Sequence, residues 1–150
     1  MATTNEMIEN WTRRSRVNQM SHYESAKMYS IVYYCLGIPL VVVTASLGAI
    51  NSANKHLIST EMTSLLLFTI SILAALQTFL KLSERAQKHK TAASKYGAIR
   101  RDLETLMVKP KVTDAEIKTM KNKMDGLALE APSIPYVIWK KTDRQLLGVH

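Results

Sequence analysis

Two stretches of this sequence contain no Asp, Glu, Lys, Arg or His: residues 28–50 and residues 62–80. An amphipathic helix in water keeps charge on its solvent side, so uncharged runs of this length point to burial on every face. At about 1.5 Å per residue they extend roughly 34 and 28 Å, close to the ~30 Å hydrocarbon thickness of a bilayer. Residues 28–50 are rich in β-branched side chains, but they run far longer than a strand. In lipid every backbone amide has to be bonded within its own segment, which selects a helix. Pro39 removes one backbone donor from that helix and crowds the Cys35 carbonyl, so a kink is expected around residues 37–39. Residues 62–80 read as a plainer Leu/Ile helix. A buried hairpin inside a soluble domain is disfavoured, because the rest of the chain is mostly polar and too small to cover two wholly apolar helices.

The sequence therefore predicts an all-α membrane protein. Its plan is a two-transmembrane helical hairpin with an N-terminal helix and C-terminal cytoplasmic helices. The divisions are an arm over 1–27, spans over 28–50 and 62–80, a loop over 51–61, and helices with a Pro-containing tail over 81–150. Ser59 or Thr60 is placed to cap the second span, with Glu61 in its first turn. The loop carries one Lys or Arg, the arm four (Arg13, Arg14, Arg16, Lys27), and residues 81–101 seven. The positive-inside rule then puts both termini in the cytoplasm and the loop outside. The arm is polar over its whole length and offers no small-residue cleavage site, so it does not read as a signal peptide. The first span is expected to stay as an anchor.

The arm reads as a helix that continues into the first span, with Trp11 packed against the later helices rather than lying at the headgroups. Ala92, Tyr96, Ile99, Leu103 and Leu106 follow spacings of 4, 3, 4 and 3, a heptad-like seam. It could serve self-association or receive the chain's own stripe of Ile117, Met120, Met124 and Leu127. The Arg/Lys-rich opposite face suits anionic lipid headgroups, and no nucleic-acid-binding signature accompanies it. Thr113 to Glu116 spells a capping box after Lys109-Pro110-Lys111, and that helix is expected to stop near residues 126–129. The tail from Ala131 through Pro132 and Pro135 to Lys141 reads as non-helical. Its aromatics suit docking on the cytoplasmic helices first and a membrane interface second.

No catalytic, cofactor or metal constellation is legible. His22, His56, His89 and His150 are scattered, the five glycines lie singly, and Cys35 is alone. The expectation is a non-enzyme without cofactors.

The order of features resembles the SLATT family, two-transmembrane effector domains associated with nucleotide-sensing conflict systems. Trp11 with Arg13–Arg14, the paired spans, the run Arg85-Ala-Gln-Lys-His-Lys-Thr-Ala-Ala-Ser-Lys-Tyr96 and the late Ala131-Pro-Ser-Ile-Pro135 carry it. The resemblance covers nearly the whole chain, through motifs of moderate specificity. It implies a homo-oligomer that perforates a membrane when a nucleotide sensor, here a separate protein, is triggered. A pore would need polar lining from residues such as Thr44, Ser46, Thr69, Ser71, Gln77 and Thr78. The bland reading of each Ser and Thr is a bond to its own i−4 carbonyl. The competing function is a structural anchor or scaffold component, for example of a viral shell or envelope, with the same hairpin and no pore.

Overall fold

The computed structural model describes residues 3–52 and 58–147. Among them it is all-helical, with five helices: α1 (Thr4–Ser52), α2 (Thr60–Leu80), α3 (Leu82–Met107), α4 (Asp114–Glu130) and α5 (Tyr136–Leu147). Residues 53–57 of the expected loop, with Lys55 and His56, lie outside the described residues.

The helix boundaries follow from local chemistry. Thr3 and Glu6 open α1 with a reciprocal cap of the capping-box kind. The Thr3 amide donates to Glu6 Oε2 at 2.8 Å, and the Glu6 amide donates to Thr3 Oγ1 at 3.3 Å. The helix then continues for 49 residues with Pro39 inside it, joining the arm to the first apolar segment as expected. Ser59 caps α2, its hydroxyl accepting from the Met62 amide at 3.4 Å, which satisfies one of the amides left open at a helix start. The expected helix after the second apolar segment is present, but it is set off from α2 by Lys81 in the left-handed region (φ 47°, ψ 43°). A side chain in that conformation costs about 1–2 kcal/mol. The Lys81 carbonyl in turn accepts from the Arg85 amide at 3.0 Å, so one residue ends α2 and starts α3. The capping box at Thr113 is complete, with both the Thr and the Glu116 side chains engaged.

Helix α4 ends at Glu130, beside the expected stop near residues 126–129. One expectation about the C-terminal part is corrected. The tail is helical from Tyr136. Proline blocks only the turn before it. Pro135 stands at the start of α5, where its carbonyl accepts from the Ile138 and Trp139 amides at 3.0 and 3.1 Å. The non-helical part of the tail is the short segment between α4 and α5.

The chain divides into two compact units. One combines residues 1–27 with residues 86–150, and the other is residues 28–85. The first has a conventional core of Ile8, Tyr96, Ile99, Leu103, Leu106, Met120 and Leu127, with Trp11, Val112, Met124 and Ala131 packed on it. Each fully buried large aliphatic side chain contributes about 1.5–3 kcal/mol there. Trp11 thus packs as the sequence suggested. Lys123 pairs with Asp102 at 2.9 Å and Lys95 with Glu130 at 2.6 Å. Both pairs are exposed and individually weak. Their positions, seven apart on each helix in opposite directions, describe α4 running antiparallel to α3.

The second unit contains two helices long and apolar enough to cross a membrane. None of the residues in α2 is buried. Val41 is 66 % exposed, Leu65 60 %, Phe68 65 % and Phe79 82 %.

Candidate functional site

In the unit of residues 28–85, the polar candidates divide by chemistry. Every candidate hydroxyl donates back into its own helix: Thr44 to the Leu40 carbonyl (2.7 Å), Ser46 to Val42 (2.8 Å), Thr69 to Leu65 (2.9 Å), Ser71 to Leu67 (2.8 Å) and Thr78 to Ala74 (3.0 Å). This is the bland arrangement weighed for them. It leaves each hydroxyl only acceptor lone pairs to present outward.

Gln77 behaves differently. Its Nε2 donates across to the Tyr33 carbonyl on α1 at 3.5 Å, tying the two helices rather than facing outward. Gly37 makes room for it, since a Cβ there would stand 2.9 Å from Gln77 Nε2. Beside this contact lies an open groove of about 590 Å³, lined among others by Tyr33, Tyr34, Ile38, Gln77 and Thr78. Gly37 was legible only as part of a kink. Its partnership with a glutamine forty residues away has no local signature.

The seam residues Tyr96, Ile99, Leu103 and Leu106 are all buried by the chain itself. Ile8 from α1 and Met120 and Leu127 from α4 share their cluster, so of the two partners considered for this seam the chain's own helices are present.

A site the sequence did not reveal lies at the other end of the same α3 face. His22 and His89, read from the sequence as scattered, meet with Nδ1 atoms 2.9 Å apart, each residue only 2 % exposed. One imidazole donates Nδ1–H to the bare Nδ1 of the other, which fixes opposite tautomers and one shared proton. Tyr96 stacks on His22, with ring centroids 5.5 Å apart and planes at 17°. Buried Ser15, Ser21, Ser25 and Ala26 of α1 and Ala86, Ala92 and Ala93 of α3 belong to the same unit. These small side chains permit close helix approach. Gly97 repeats the device seen at Gly37: a Cβ there would come 2.8 Å from Gln19 Nε2. The hydroxyls of Ser15 and Ser21 are buried with no hydrogen-bond partner among the described residues, so this contact is polar as well as tight.

The electrostatics follow from burial. His22 is lowered from 6.5 to about 4, first by burial and then by the charge on His89. Burial also lowers His89. Burial raises the Tyr96 phenol, against the opposing hydrogen bond from Asn18 and the charge of Arg14. The pair is therefore neutral near pH 7 and holds helices together without charge. Residues 22 and 89 lie far apart in the chain and on different helices, which is why no motif announced them. Among the described residues no group of three or more His, Cys, Asp or Glu side chains is arranged to hold a metal ion.

Compared with family models, curated proteins and solved structures, the chain matches none.

Proposed function

We propose that this chain is a two-span integral membrane protein that acts by assembling in the bilayer. It would be an effector of the kind the SLATT resemblance implies, with both termini cytoplasmic and no catalytic chemistry of its own. The observation that carries this reading is the exposure of large apolar side chains around most of α2 and of the apolar half of α1, everywhere outside one half-buried stripe on each helix. Leaving each such side chain in water forgoes about 1.5–3 kcal/mol, and lipid or other copies remove that penalty. Assembly is supported by Ala45, Gly48 and Ala49, which are exposed on α1, and nothing lies within 4 Å of a Cβ added at Gly48. Small residues at such spacing let helices of neighbouring copies approach closely in lipid. The unit of residues 1–27 and 86–150 would then be the part that a separate sensor or scaffold protein engages.

A second reading, a membrane anchor or scaffold without a pore, is favoured by the hydroxyls that bond their own carbonyls and by Gln77 turned toward α1. Dye release from liposomes carrying the purified protein, read beside its oligomer mass, separates the two. Assembly with release supports the effector. Assembly without release, in the presence of candidate partners, supports the scaffold. A strict monomer in lipid overturns the effector and leaves only the anchor.

A further inference from the structure

Helix α5 divides cleanly into two faces. Thr142 is buried, and Ile138 and Leu146, one turn to either side of it, are half-buried, so this stripe packs onto the protein. Around the rest of the helix Tyr136 is 68 % exposed and Val137 77 %, with Lys140, Lys141 and Arg144 also exposed. Spacings of four place Tyr136, Lys140 and Arg144 in one row and Val137 with Lys141 in the next. Trp139, 40 % exposed, stands at the border and stacks on Tyr136, whose ring also carries the Lys140 ammonium at 5.8 Å. Asp143 is the only acidic residue of α5 and is half-buried, so three cations and one anion share the helix.

Aromatic rings with an apolar body and a polar edge, set among cations, match the boundary between acyl chains and anionic headgroups. We propose that the outer face of α5, formed by Tyr136, Val137, Lys140, Lys141 and Arg144, docks on anionic lipid headgroups at the cytoplasmic surface, with Trp139 at its edge. This rests on the two-span reading above. The face would seat the cytoplasmic helices against the bilayer and make their position depend on lipid charge.

The full chain, carrying Trp11→Phe so that Trp139 is its sole tryptophan, tests this in two kinds of vesicle. One is phosphatidylcholine alone and the other phosphatidylcholine with phosphatidylglycerol, each containing a lipid brominated near the headgroup. Trp139 emission is expected to be quenched and blue-shifted in the anionic vesicles and much less so in the neutral ones. Each basic side chain at an anionic surface changes the docked-to-undocked ratio about fivefold, so Lys140→Gln, Lys141→Gln and Arg144→Gln together should lower it roughly a hundredfold. Equal quenching in both vesicles, or quenching unchanged by the triple variant, overturns the proposal. So does a triple variant that loses oligomer mass while quenching stays the same, which would assign the face to a second copy. Resistance of the same samples to alkaline extraction reports insertion separately. Protein that resists extraction with Trp139 unquenched refutes lipid docking and leaves the two-span reading intact, whereas extracted protein refutes both.

Discussion

Protonation of the His22–His89 pair should weaken the unit that contains it, in a defined pH window. The pair at 2.9 Å is neutral, so one added proton would create a buried imidazolium and a second would place two buried cations in contact. The native pair therefore resists protonation, whereas the unfolded chain takes up protons at an ordinary histidine pKa. The sign follows from that difference. Stability is fully present above 6.5 and is lost as pH falls toward the native value of about 4. The displacement of His22 alone corresponds to roughly 3 kcal/mol across the whole window, and about 2 kcal/mol of it should be gone near pH 5. His89, lowered in the same direction, adds to the loss. Trp11 packs on the core of this unit, so its fluorescence in a Trp139→Phe background reports unfolding by denaturant in detergent micelles. The wild-type midpoint should fall steeply between about pH 7 and pH 5, roughly the span over which ordinary histidines titrate. A His22→Gln, His89→Gln variant should begin from a lower midpoint and show a much flatter slope. Parallel loss in both proteins would refute the reasoning, because the pH dependence would then arise elsewhere.

Other substitutions test the remaining contacts. Gln77→Leu removes a cross-helix bond of the kind worth about 0.6–2 kcal/mol in membranes, so expression and insertion should persist while thermal stability in lipid drops modestly. Gly37→Ala should mimic much of that loss by displacing the amide, which the same melting curve would show. Leu103→Asp places a charge at a fully buried site, where an unpaired carboxylate is costly. It should unfold the unit of residues 1–27 and 86–150, seen as loss of Trp11 protection, while membrane association is kept. Thr113→Ala removes a cap and should cost about 1 kcal/mol of α4 stability, measured by amide hydrogen exchange across Asp114–Glu130. The Glu116 carboxyl, held down at about 2 mainly by its hydrogen bond from Lys109, should stay ionised in the folded protein through the histidine window. Its unfolded counterpart takes up a proton only near 4.5, so it should leave the loss between pH 7 and pH 5 to the histidines and add to it only at lower pH.

Features written in local or periodic patterns were legible in the sequence. The apolar helices, the seam of Tyr96, Ile99, Leu103 and Leu106, the stripe of Met120 and Leu127, the Ser59 cap and the Thr113 box all rest on spacings of three or four residues or on uncharged runs. Partnerships across the chain left no such trace. His22 with His89, Gln77 with Gly37, and Gln19 with Gly97 depend on which helix faces which, and a lone histidine or glycine looks the same whether or not it has a distant partner. The tail departs from its local signal for a different reason. Two prolines dominated the local signal, although the second marks a helix start rather than a helix break.

The central claim is that residues 28–50 and 62–80 cross a bilayer with both ends of the chain on one side. Cysteine accessibility measures it most directly. In a Cys35→Ala background, single cysteines replacing Thr4, Asn54 and Ser133 can be labelled in intact membranes with a reagent that does not cross lipid. The account predicts that position 54 is labelled from outside, and that positions 4 and 133 react only after the membrane is opened. Labelling of all three from the same side of an intact membrane, or release of the protein by alkaline extraction, would contradict it.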